Sequence, residues 1–169
     1  MKKSIRFLSV LLFLILLLSA CSTSDPAEEQ MESVVQFIFT APNEKISENE
    51  VLRTAVMKEE IAGELKTLFP DLTEICTDSA INDIALPMAG MHIMAMDEDI
   101  TVTVKSTEVE VHSEKNNTYA FSCVLLVEGD GKSEIEVSGK MQLDENGKIS
   151  YVGDDTAIYL LMDEMRKLI

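Results

Sequence analysis

At Ile100 the apolar residues change period, and that switch constrains the fold more than any other feature of the sequence. Before it, apolar residues recur at three- and four-residue spacing, the repeat of one face of a helix. After it they alternate with polar residues, the repeat of a half-buried strand. Helices first and neighbouring strands afterwards make an α+β domain, with helices gathered on one face of an antiparallel sheet.

The strand half can be read in some detail. Ile100, Val102 and Val104 occupy even positions, then Val109 and Val111 continue on odd ones. A one-residue change of parity turns a strand over unless an extra residue is absorbed, so a bulge or bend is predicted between Lys105 and Glu108. Tyr119, Phe121, Cys123, Leu125 and Val127 are all odd, as are Ile135, Val137, Met141 and Leu143, and then Ile149 and Tyr151. The links Glu114-Lys115-Asn116-Asn117, Gly129-Asp130-Gly131 and Asp144-Glu145-Asn146-Gly147 are short turn chemistry suited to hairpins. The expected sheet is a four-stranded antiparallel meander. Gly139 falls on the inward side of its strand, which predicts a bend there.

The helices announce themselves by their starts. Asp25-Pro26-Ala27-Glu28 places Asp at the N-cap, Pro at N1 and Glu at N3. Met31, Val34, Val35, Ile38 and Phe39 then line one face until Ala41-Pro42-Asn43. Ser47-Glu48-Asn49-Glu50 reads as a capping box for a second helix carrying Val51, Ala55, Ile61, Leu65 and Leu68 inward, stopped by Phe69-Pro70-Asp71. A third, shorter helix is expected from Asp78 or Ser79, with Ile81, Ile84 and Ala85 inward; Pro87 and Gly90 leave the stretch up to Met96 without an assignment. Asp154 to Ile169 forms a last helix on Ile158, Leu161, Met162, Met165 and Leu168, acidic at its start and basic at its end, as the helix dipole favours.

The N-terminus has a different character. Lys2, Lys3 and Arg6 precede an apolar run from Phe7 to Leu18 broken only by Ser9. A membrane span needs about 20 apolar residues, whereas the core of an export signal needs roughly 7–15. The tetrad Leu18-Ser19-Ala20-Cys21 resembles the lipobox of bacterial lipoproteins. That resemblance implies removal of residues 1–20 and a diacylglycerol thioether on Cys21, with two acyl chains holding the chain on a bilayer. Residues 21–24 would then be the lipidated cysteine and a short spacer, and 25–169 a single domain.

Composition narrows the partners. Fourteen Lys and Arg face thirty Asp and Glu. Loss of Lys2, Lys3 and Arg6 leaves eleven basic residues against thirty acidic ones, a formal charge of −19. Nucleic acid is excluded, because phosphate binding needs clustered Lys and Arg. Anionic headgroups repel such a surface, so the membrane partner is reached through the lipid on Cys21 alone. Cys76 and Cys123 remain, either as one disulfide or as two buried thiols.

The element order is similar to that of the NTF2-like (cystatin-like) superfamily over residues 25–152. The resemblance implies a curved sheet wrapped around N-terminal helices as a cone, and small lipoproteins of Gram-positive bacteria often share that layout. The C-terminal helix is an addition many members lack. An open cone would imply a small-ligand pocket, in some members with an Asp or His inside it for proton transfer; a filled one would leave a non-enzymatic binding or interaction module.

Few residues stand out as chemistry. In "MAGMHIMAMDED" Met88, Met91, Met94 and Met96 surround His92, a soft donor set of the kind that binds Cu(I). The competing reading is methionine filling an irregular gap in the core. His92 and His112 can act as general bases, and His112, off the parity of Val109 and Val111, is expected to be exposed. Asp97-Glu98-Asp99 and Asp154-Asp155 carry oxygen ligands without an EF-hand spacing. No HExxH, GxSxG or phosphate-cradling loop occurs, so no cofactor and no catalytic residue is assigned.

Overall fold

A computed structural model of the chain describes residues 25–153 and 156–169. It contains helices α1 (Pro26–Phe39), α2 (Glu44–Ser47), α3 (Glu50–Thr54), α4 (Lys58–Leu68), α5 (Leu72–Ile75) and α6 (Asp78–Asp97). Strands β1 (Thr101–Ser113), β2 (Thr118–Glu128), β3 (Lys132–Leu143) and β4 (Ile149–Gly153) follow, and helix α7 (Thr156–Arg166) comes last. The sheet has the order β1-β2-β3-β4, every pair antiparallel. The α+β architecture, the meander and the C-terminal helix are as the periodicity predicts. Among the described residues no helix is long and apolar enough to cross a membrane.

The sheet keeps the predicted parities in β2 and β3, but not to the end of β4: the register shifts between the Ile149–Leu143 and Tyr151–Gln142 pairs, so Tyr151, which the odd pattern would place with the inward residues, is exposed on the outer face. Phe121, Cys123, Leu125 and Val127 are buried while their even-numbered neighbours are half-exposed. Lys105 is the extra residue in β1: Val104 pairs with Leu125, and Ser106 with Val124. Thr107 is thereby turned inward, and its buried Oγ1 has no hydrogen-bond partner among the described residues. A second irregularity lies at His112, between Val111, paired with Tyr119, and Ser113, paired with Thr118.

Gly139 has a packing role. Pairing of β2 with β3 runs through it without a bulge, Phe121 opposite Gly139. The glycine makes room: a Cβ there would lie 2.7 Å from the Phe121 ring. That ring fills the missing side chain's place and leans toward Phe39 of α1, centroids 6.3 Å apart.

The helical half departs further from the sequence reading. Asp25 caps α1 as expected, accepting from the Ala27 amide at 3.0 Å. Ser47, however, caps nothing: it ends α2, fully buried. Asn49 is the cap of α3, accepting from the Leu52 amide at 2.9 Å, and its side-chain amide donates to Glu64 of α4. The single second helix is therefore two helices, and Val51 faces solvent rather than the core.

The third helix is long, running unbroken past Pro87 and Gly90 to Asp97. It packs between α4 on one side and the sheet and α7 on the other. Ala80, Ile81, Ile84, Ala85, Pro87, Met88, Ala89, Met91, His92 and Ala95 are all buried, which is most of its circumference. A helix apolar all round is a central helix. This is why no single apolar stripe marked its extent.

Candidate functional site

Three places were candidates for chemistry: the interior, the Met–His segment and the exposed face of the sheet. The interior is filled. Met31, Phe39, Ile81, Met88, Leu125 and Met141 are among its largest fully buried side chains. The internal cavity among Ile38, Phe39, Ile84, Pro87, Phe121, Val152 and Ile158 measures about 20 Å³, room for about one water. Asp83 lies at its rim and is itself exposed.

The Met–His segment is part of that packing. Met88, Met91 and His92 are fully buried on α6, whereas Met94 and Met96 are only half-buried and lie on its flanks. His92 is instead the centre of a polar knot. Its Nδ1 accepts from the Asn43 amide at 3.0 Å, while Ser47 Oγ lies 2.9 Å from the His92 carbonyl and 3.0 Å from that of Asn43. The Asn43 bond makes Nδ1 the acceptor, so the ring proton sits on Nε2. Nε2 is buried without a hydrogen-bond partner. Burial dominates and pushes the pKa of His92 down to about 4, against the smaller raising effect of Ile38. The ring is thus neutral at pH 7 and ties α6 to the Ala41–Asn43 turn. That turn is stitched to β1 by a two-way backbone bridge between Ala41 and Val102.

Cys76 and Cys123 are buried free thiols. Cys76 bridges to Ile149, which lies opposite Leu143 on β3; Cys123 lies opposite Val137. Those β3 positions alone are about 20 Å apart along the strand, well beyond disulfide reach. Burial raises the Cys76 pKa to about 11, with Lys148 opposing, and raises that of Cys123 to about 12. Neither thiol is a nucleophile at neutral pH.

Asp97-Glu98-Asp99 is not gathered into a cation site among the described residues. Asp97 makes a two-oxygen pair with Arg53, at 2.7 and 2.9 Å. Asp99 adopts a left-handed conformation in the turn into β1. Asp154 and Asp155 lie outside the described residues, as does Cys21. Among the described residues no group of three or more His, Cys, Asp or Glu is placed to hold a metal.

The exposed face of the sheet is different. A trough of about 710 Å³ lies over the far ends of β1 to β4, walled by His112, Lys140 and Tyr151 and floored by Ala120, Ser138, Gly139 and Gly153. His112 is exposed, as its parity predicts, and Lys140 Nζ lies 3.0 Å from its Nε2. The sequence reading had not joined Lys140 or Tyr151 to His112. Cross-strand parity was the available signal, since 112, 120 and 140 all fall on the solvent side.

No protein-family model, no curated protein and no solved structure matches the chain.

Proposed function

We propose that the chain is a lipid-anchored, extracytoplasmic, non-enzymatic binding or interaction module, held at the cell envelope of a Gram-positive bacterium by a diacylglycerol on Cys21. The sequence of residues 1–21 supports the anchor. The filled interior supports the module: the cavity of about 20 Å³ between the helices and the sheet is too small for a substrate. The one histidine of that interior is neutral and already bonded at Nδ1. Recognition is thereby left to the surface.

The spacer Ser22-Thr23-Ser24 reaches about 10–14 Å fully extended, so the start of α1 is the part held nearest the bilayer. Tyr119 belongs to that end. Its phenol is raised by burial and by the carboxylates of Asp25 and Glu28.

Metabolic labelling with a clickable fatty acid tests the anchor. The wild-type chain takes label and sediments with membranes, and Cys21→Ala does neither. Label and membrane retention in Cys21→Ala would defeat the reading.

A further inference from the structure

We propose that the trough of His112, Lys140 and Tyr151 is a binding site for a small organic oxyanion, a carboxylate or a phosphate. The inference concerns the sheet's surface and does not depend on the lipid anchor.

The arrangement is built by several independent features of the chain. β1 and β3 are not neighbours, because β2 runs between them. Two strand spacings separate their backbones by about 10 Å. His112 and Lys140 meet diagonally across β2, over the small side chain of Ala120, which pairs with Lys140 on one side and Glu110 on the other. His112 is also one of the two irregular residues of β1, and bulges re-aim side chains. On the far wall Tyr151 is seated on Gly153: a Cβ on that glycine would lie 2.3–2.5 Å from the Tyr151 ring and hydroxyl. The aromatic face is thereby held at the trough's edge.

Among the described residues no carboxylate takes up the charge of Lys140. The other two lysines of the sheet are satisfied by carboxylates, Lys105 by Glu134 and Lys132 by Glu128. Lys140 makes no ion pair among the described residues, although Glu110 lies in the same cross-strand row. It contacts the imidazole instead. A charged lysine only donates, so Nε2 accepts and the His112 ring proton sits on Nδ1. Two Nζ protons remain, with the Tyr151 hydroxyl as a further donor in the same trough, while the Nδ1–H points to the other side of the ring. Donors of this kind match the oxygens of a carboxylate or phosphate. The surrounding negative charge opposes the approach of any anion, but it is screened beyond about 8 Å at physiological salt, so the close contacts decide.

The test is NMR titration of the full chain in a neutral detergent, with inorganic phosphate and, separately, benzoate. The chain has only two histidines, so the His112 ring signals report the site and the buried His92 signals report an intact fold. Either anion should shift His112 saturably in the millimolar range and leave His92 unmoved. Benzoate binding the tighter would identify a carboxylate with an apolar body against Tyr151. Phosphate binding the tighter would identify a phosphate ester. Lys140→Ala should weaken binding about tenfold or more, and Lys105→Ala should leave it unchanged. Absence of saturation with both anions, or equal losses in Lys140→Ala and Lys105→Ala, would overturn the proposal.

Discussion

The two faces of the sheet solve the same local problem in opposite ways. On the inner face Gly139 admits the Phe121 ring, and on the outer face Gly153 admits the Tyr151 ring. Phe121 is 4 % exposed and Tyr151 48 % exposed. The histidines divide likewise. His92 is held neutral inside a helical knot, and His112 meets Lys140 in the open. The same residue types thus serve packing on one side and are left available on the other. Burial, more than residue identity, assigns the role.

Four measurements would break or sharpen that contrast. The largest effect belongs to Phe121→Ala. It should cost about 3–5 kcal/mol in chemical denaturation, since it empties both its own site and the one above Gly139. A loss below about 1 kcal/mol would mean the inner face is not tightly packed.

The second is acid sensitivity. His92 titrates near its ordinary value of 6.5 when unfolded and at about 4 when folded. The unfolded state therefore binds the proton first. The His92 contribution is fully present above pH 6.5 and is lost as pH falls toward 4. It amounts to on the order of 3 kcal/mol. Denaturation midpoints at pH 7 and pH 4.5 should lie closer together in His92→Gln than in the wild type; identical pH dependence would remove His92 as the cause.

The third pits the glycines against one another. Gly139→Ala forces a methyl into the Phe121 ring and the Gly153 carbonyl, at a cost of about 1–3 kcal/mol. Gly153→Ala only swings an exposed tyrosine into water and should cost about 0.5 kcal/mol, while loosening oxyanion binding in the trough. Equal costs would erase the distinction between the faces.

The fourth has the opposite sign. A Cβ on Gly90 would meet nothing within 4 Å. Gly90→Ala should stabilise the fold by about 0.5–1 kcal/mol, seen as a raised Tm.

The sheet was legible because its code is local: parity runs unbroken through β2 and β3, and the Lys105 bulge falls at the edge of the window that parity defines, whereas the one-residue slip that turns Tyr151 outward in β4 left no mark in so short a strand. The first helix was legible for the same reason, since its cap and its stripe lie within one segment. The second and third were not. Ser47 begins a perfect local capping pattern, but the carbonyls of Asn43 and His92 claim its hydroxyl. The His92 contact is 45 residues distant. The central helix α6 lost its stripe because neighbours cover it on both sides. The trough needed the register of three strands at once, which no single segment carries.

The irregularities of β1 have one more consequence. β1 is an outer strand, and among the described residues only Val102 is bridged beyond its pairing with β2, to Ala41. An outer strand invites a strand from another molecule. Here the regular pairing edge is interrupted at Lys105 and again at His112, leaving only the stretch from Ser106 to Val111. That stretch carries Glu108 and Glu110, which two approaching copies would set against each other. The distortion that aims a histidine at a lysine also shortens the edge along which molecules of this kind could polymerise.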